Sequence, residues 1–391
     1  MKNLYLLNKK TITRSLILSG VLFCGACTVS NIKPFDHPKG DAALTKAEKR
    51  YWHHAKKAKE ALVNAGVLQN DVELESYLND IAKKLYPEYA DRVKIHVVDN
   101  PSYNAFAMPN GDIYIHSAML GTLENEAQIA IVIGHEIAHF VKKHGAIRAN
   151  KLENGMASGA VLNSIIPIVG LLGQSAAVSS IYGLSRDNER EADRVGYEHF
   201  VAAGYPVSET VKAFAILQEE SELGRDEEET FLFASHPKLQ ERIDSFNELI
   251  NSSNSQQVVD DGQNDKYKTL TASITAALPQ KFYESGRYDQ LLKHISNERR
   301  QVDNRDFYLA MARLKLEKST FAEVEPLLVR QINQYPAFAE AHKEYGYLLA
   351  DNQRLVEASK YLNNYLTLEP ESLDKWFIQD KIKKINNMEQ Q

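Results

Sequence analysis

The sequence predicts a mainly α chain of the α+β class, in which a helical domain is followed by an α-solenoid. Three observations predict it. A long apolar stretch of helical periodicity runs from Asn125 to Gly145 and carries His135-Glu136-Ile137-Ala138-His139. A polar stretch, Asn251–Gln257 and then Asp260–Asp265, divides the 391 residues and has little to bury. Beyond it, Tyr335-Pro336 and Glu369-Pro370 stand 34 residues apart, a period of stacked helical pairs.

The chain start reads as an export signal. Lys2, Lys9, Lys10 and Arg14 precede the apolar run Ser15–Cys24, which is short for a membrane span. Small residues lead into Cys27, so residues 1–26 read as a lipoprotein-type signal peptide. Cys24 stands where leucine is more usual, which leaves cleavage by an ordinary signal peptidase open. With cleavage before Cys27 the mature chain would begin on a lipidated cysteine and hold no other, since the sequence has two. A redox or metal pair of Cys24 and Cys27 is set aside because Cys24 lies within the signal. Thr28-Val29 carries no acidic residue. By analogy with bacterial lipoproteins, this sends the chain to the periplasm, anchored by lipid to the inner face of the outer membrane. Residues 27–44, with Pro34, Pro38 and Gly40, read as a tether, 45–250 as the first domain, 251–265 as a linker and 266–391 as the repeats.

Within the first domain, Asn125 suits a helix N-cap and Gly145 the residue after its end. Ile129, Val132, Ile133, Ile137 and Phe140 recur at three- and four-residue spacing and predict a buried amphipathic face. His135 and His139, four apart, would stack on one side of this helix and grip one metal ion. Glu136 lies about 100° further round, where it would take a proton from water rather than bind the metal. A third donor is needed. A glycine three residues and a histidine six residues past His139 would give the metzincin pattern, but Lys142 and Gly145 stand there. His144 is read as a helix-terminal cation pointing off the ligand face. The segment Ser185–Gly196 offers Glu189 and Asp193 on one helical face. Either carboxylate could join the two histidines as third ligand while the other orients a histidine through its second ring nitrogen. Spacing does not exclude Glu191, and Arg186, Arg190 and Arg194 leave a solvated charged face as the alternative.

Four segments now stand in order: Asn104-Ala-Phe-Ala-Met-Pro-Asn-Gly111 through His116, the HEIAH helix, Ser185–Gly196, and Ser235-His-Pro-Lys-Leu-Gln-Glu-Arg242-Ile243. Together, over roughly residues 45–250, they resemble the HtpX-like and CAAX-prenyl-protease superfamily of zinc metallopeptidases. The resemblance implies a helical zinc metallopeptidase domain with a small β-sheet and one zinc ion, Zn2+, per chain. It makes Glu189 the third ligand beside His135 and His139, with Asp193 and Arg242 supporting them and Glu136 as general base. It also implies that His236 can approach the metal and block the water position. A helix-capping role beside Pro237 is the alternative for that histidine.

The repeats resemble tetratricopeptide repeats: Tyr345–Leu348, Ala358, Tyr361 and Leu362 answer Met311–Leu314, Val324, Leu327 and Leu328. A weaker unit surrounds Phe282-Tyr283, Gly286–Tyr288 and Leu291-Leu292. Such solenoids present a concave face to protein segments. A peptidase joined to these repeats resembles the periplasmic branch of the superfamily more than its multi-spanning membrane enzymes. That branch implies hydrolysis of misfolded or stalled outer-membrane polypeptides, with the repeats recruiting clients or the barrel-assembly machinery. The alternative is a chaperone or scaffold whose peptidase site stays latched. Substrate would lie extended beside Asn104, Ala105 and Phe106, or beside Asp112–Ile115, by strand addition.

Residues 154–185 hold no charge and would permit a span by length. His139 precedes them and Glu189 follows, and both must reach one ion, so a single crossing is excluded. Pro167, Gly170 and Gly173 interrupt the run. It is read as a helical hairpin, plug or lid that packs over the site, a membrane surface or a partner. A formal charge of −6 argues against a nucleic-acid partner. Nothing indicates a phosphate loop or a Ser/Cys nucleophile, and a purely structural zinc site would call for cysteines the mature chain lacks.

Overall fold

The computed structural model describes residues 32–35, 44–155, 185–223, 239–252, 263–297 and 302–389. It is mainly helical around one small sheet. Helix α1 (Lys46–Asn64) starts in a capping box, with Thr45 and Glu48 satisfying each other's backbone N–H groups. Helix α2 (Val72–Leu85) starts at Asp71, whose carboxylate accepts from the Leu74 N–H.

Three strands follow: β1 (Lys94–Val98), β2 (Ala105–Ala107) and β3 (Asp112–His116), in spatial order β1-β3-β2. The central β3 pairs parallel to β1 and antiparallel to β2, with Ala105 opposite Ile115 and Ala107 opposite Ile113. The β2–β3 turn passes through Gly111 at φ +91°, where an added Cβ would meet the Arg92 carbonyl at 1.9 Å. Only glycine fits that close approach. Helix α1 covers one face of the sheet through Ala55, Ala58 and Leu62 against Val98, Met108 and Tyr114. The other face joins α2 and the site helix in the main core, through Ile95, Val97, Ile113 and Ile115.

After α3 (Ser117–Thr122), the site helix α4 runs Glu126–Val141. Asn125 caps it, accepting from the Gln128 N–H at 2.9 Å. All 16 residues of α4 are buried, so it has no solvated face and is not amphipathic in place. The apolar periodicity misses that the opposite side is covered too. The helix also ends earlier than Gly145. Lys142 is the C-cap, Lys143 takes the left-handed conformation at φ 55°, and Gly145 lies inside α5 (His144–Gly155). Tertiary contacts hold Lys143 there: its Nζ lies 2.7 Å from Glu48 and 4.1 Å from the Phe35 ring centre. Those contacts outweigh the local preference for glycine at such a position.

Helices α6 (Arg186–Ala202), α7 (Ser208–Leu223) and α8 (Leu239–Ser252) close the domain around α4. The rest is α9 (Gln263–Glu284), α10 (Tyr288–Ser296), α11 (Arg305–Lys315), α12 (Phe321–Gln334), α13 (Ala339–Asp351), α14 (Leu355–Leu368) and α15 (Lys375–Glu389). Their connections repeat. Gly286, Glu317 and Gln353 take left-handed φ of 75°, 54° and 61°. At each, paired backbone bonds close the helix end, such as Arg287 N–H to Phe282 and Arg354 N–H to Leu349. The two pre-proline residues, Tyr335 and Glu369, adopt nearly the same backbone, φ −131°, ψ 66° and φ −124°, ψ 68°. Gly346 lets α13 approach α14, since a Cβ there would come within 2.8 Å of the Leu362 side chain. Helix α9 sits on α3: the Tyr267 hydroxyl donates to the Leu120 carbonyl at 2.7 Å, and Gly121 faces Leu278.

Candidate metal centre

Helices α4 and α6 build the centre between them. They cross at Gly134 and Gly196, where an added Cβ on Gly196 would stand 3.0 Å from the His135 nitrogen and 3.1 Å from the Gly134 carbonyl carbon. That approach brings Glu189, two turns before Gly196, to the histidines. The Nε2 atoms of His135 and His139 converge to 2.8 Å. Glu189 lies 3.5 Å from each through its two oxygens. All three side chains are buried, and one donor atom from each falls within 4.8 Å of the others. Two imidazoles and a carboxylate converging from rigid helices suit zinc with a position left for water. Among the described residues this is the one group of three that could hold a metal ion. Glu136 is buried beside it and near enough to Arg242 to bias that residue's charge.

Behind His135 lies a charged support. Asp193 Oδ1 is 2.9 Å from His135 Nδ1, and Arg242, from α8, donates to both Asp193 oxygens at 2.6–3.1 Å. Arg242 Nη2 also lies 2.9 Å from His135 Nδ1, and the guanidinium sits over the Phe214 ring at 4.2 Å. Since a guanidinium only donates, Asp193 is the group that can accept an Nδ1 proton from His135. Burial pushes the Asp193 carboxyl up, but Arg242 and His135 outweigh it and hold it below the carboxylate range. Burial and Arg242 push His135 down, yet Asp193 and Glu189 outweigh them and raise it to about 9.

His144 does not point away from the site. It is buried, with Nδ1 2.8 Å from His139 Nδ1 and Nε2 3.1 Å from Glu191. Glu191 is held in turn by Lys142 at 3.2 Å and is no part of the three-donor group. Reading His144 as a helix-terminal cation assumes that α4 continues through it. The left-handed turn at Lys143 folds the chain back and puts its ring beneath His139. The clue in the sequence is polar and unresolved: a histidine five residues past His139 and an extra acid two residues past Glu189.

Asn104 and Ala105 are fully buried, and Phe106 stacks on Tyr114 with ring centres 5.2 Å apart. What β2 offers is its backbone: it pairs with β3 on one side and is a sheet edge among the described residues. A small cleft opens beside Glu189, lined by Arg186, Glu189, Arg190, Asp193, Glu241, Arg242 and Ser245. His236 lies outside the described residues, as do the signal peptide and nearly all of the uncharged 154–185 segment. No described helix is long and apolar enough to cross a membrane.

Residues 68–250 match peptidase family M48. This part of the chain is similar to the metallopeptidases of that family. The Yersinia pestis β-barrel assembly-enhancing protease is 28% identical to the chain over 147 residues, 34% of this chain and 30% of that one. The bovine mitochondrial metalloendopeptidase OMA1 is 32% identical over 158 residues, 38% and 28% of the two chains. A putative β-barrel assembly-enhancing protease of Vibrio cholerae is 28% identical over 189 residues, 44% and 38%. The matched regions thus span about a third of these relatives' lengths.

Proposed function

We propose that this chain is a zinc-dependent endopeptidase of the bacterial cell envelope that cleaves misfolded or stalled outer-membrane polypeptides. One observation carries the reading: two histidines and a glutamate from crossing helices converge in a region that matches peptidase family M48, with a buried glutamate beside the first histidine. His135, His139 and Glu189 would hold the metal. Zinc, when bound, supplies a Lewis acid that acidifies water and polarises a carbonyl. Glu136 takes the proton from the attacking water and hands it to the leaving amine. Asp193, clamped by Arg242, keeps His135 in the tautomer that presents Nε2. The substrate lies extended along the open edge of β2, where backbone pairing tolerates many sequences.

The names of the bacterial relatives support the envelope setting and a client among β-barrel proteins. In this reading the helical pairs after Gln263 form a tetratricopeptide-like solenoid that recruits clients or the assembly machinery. The leader delivers the protein to the periplasm, where Cys27 anchors it by lipid. His236 regulates access to the metal.

The test is digestion of an unfolded porin by the wild type and by Glu136→Gln, with metal content measured in both. Loss of cleavage with one zinc retained per chain is expected. Full cleavage by Glu136→Gln overturns the mechanism. Rescue of an envelope defect by Glu136→Gln would instead favour the scaffold role. His236→Ala is expected to raise cleavage.

A further inference from the structure

We propose that His144 is a positioning residue of the metal centre, which fixes the ring of His139 and is itself fixed by Glu191. The inference rests on His135, His139 and Glu189 being the metal ligands.

The two ligand histidines face the same problem. Each must turn Nε2 toward the metal, so each must carry its remaining proton on Nδ1, and that proton needs an acceptor in a buried setting. For His135 the acceptor is the Asp193 carboxylate at 2.9 Å. For His139 the atom facing Nδ1 is His144 Nδ1, at 2.8 Å. A ligating His139 therefore donates, and His144 Nδ1 accepts. That assigns the His144 proton to Nε2, which faces Glu191 at 3.1 Å. Every donor in this chain then points toward an acceptor: His139 Nδ1–H to His144, and His144 Nε2–H to the Glu191 carboxylate. Lys142 lies 3.2 Å from the other Glu191 oxygen and pins the far end.

The fold is built to hold this arrangement. His139 and His144 are both buried, with ring centres 5.0 Å apart and planes inclined by 68°. His144 reaches its place because the chain reverses at Lys143, whose left-handed backbone is secured by Glu48. Glu191 is brought in by α6, the same helix that carries Glu189. One helix thus supplies a metal ligand to the near side of His139 and an anchor to its far side.

The test measures zinc affinity by competition with a chromophoric chelator, in full-length protein carrying Glu136→Gln. His144→Phe keeps the ring's size and removes the acceptor, whereas His144→Asn is smaller but places an amide oxygen where Nδ1 was. We expect His144→Phe to bind zinc about 10- to 100-fold more weakly, the usual cost of losing a partner behind a ligand histidine. His144→Asn is expected to recover most of the affinity. In the cobalt-substituted protein, the visible spectrum of His144→Phe is expected to differ from the parent and that of His144→Asn to match it. A packing role would reverse the order, since phenylalanine fills the space better. Parent-like affinity in His144→Phe, or weaker binding in His144→Asn than in His144→Phe, overturns the inference. Should His144→Phe fail to fold, Glu191→Ala, which removes the acceptor for His144 Nε2–H, carries the test: weaker zinc binding supports the chain of bonds and unchanged binding overturns it. His135→Ala serves as control. If the parent itself binds no zinc, the metal centre fails before His144 is in question.

Discussion

The two ligand histidines share a helix and a task but are held by different chemistry. His135 leans on Asp193, which Arg242 clamps with both carboxylate oxygens engaged; both side chains are almost wholly buried. His139 leans on His144, then on Glu191 and Lys142, whose side chains are 39% and 26% exposed. One support is ionic and sealed; the other runs through two histidine rings to an ion pair at the rim. The difference teaches where energy is stored. A sealed charge pair is nearly neutral while intact and costly when broken, whereas an exposed pair is worth little either way. The sealed support therefore couples the metal centre to folding. The rim support couples it to ring orientation alone.

Removing Arg242 is the strongest way to break that contrast. Arg242→Ala strips the guanidinium from buried Asp193 and leaves it only the His135 ring, which is expected to cost about 3–5 kcal/mol in the metal-free protein, more at pH above about 9 where that ring is neutral. Urea denaturation of the chelator-treated chain measures it. A loss below about 1 kcal/mol, the scale of an exposed pair, would erase the distinction between the two supports.

The next effect separates packing from charge. Gly196→Ala places a methyl group 3.0–3.2 Å from the backbone of Gly134 and His135. Backbone atoms of two helices cannot yield as a side-chain tip can, so the expected cost is about 1–3 kcal/mol. Glu189 would move off the histidines with the displaced helix, so zinc affinity should fall as well. Unchanged affinity in Gly196→Ala would show that the ligands are set by the polar supports and not by the crossing.

The centre and the fold are legible in the sequence to different depths. The N-cap at Asn125 and the stacking of His135 with His139 follow from spacing on one helix. Glu189 against Asp193 cannot be decided from spacing, because both lie on one face of α6. Only the crossing at Gly196 sends the first to the metal side and the second behind His135. The end of α4 is misplaced by sequence because Gly145 has the local preference for a helix end, while Lys143 has the tertiary contacts. His144 is lost with it, since its position depends on a chain reversal that no periodicity announces. In the C-terminal half, the pre-proline turns at Tyr335 and Glu369 recur because each is set by neighbouring residues, and local rules read from sequence are reliable there.

Titration tests the sealed support by another route. His135 is raised from its ordinary value to about 9 by Asp193 and Glu189. In the metal-free protein this contribution to stability is fully present below the ordinary histidine value and is lost as pH rises through about 9. Zinc must displace that proton, so between those limits its affinity should rise about tenfold per pH unit. Competition titrations at several pH values check the slope. Asp193→Asn removes the carboxylate that raises His135, so its slope should flatten in the upper part of that range. An unchanged slope would place the titrating proton elsewhere.

The smallest effect lies at the rim. Lys142→Ala removes the cation beside Glu191, in a pair about a third exposed, and should cost under about 1 kcal/mol in stability. His144 still has Glu191 to donate to after this change, because the bond to Nε2 does not pass through the lysine. Zinc affinity should therefore stay near the parent value, with a loss that shrinks further as salt screens the remaining charges. A large, salt-independent loss of affinity in Lys142→Ala would mean that Glu191 cannot hold its position alone. The rim support would then be as tightly coupled to the centre as Asp193 and Arg242 are.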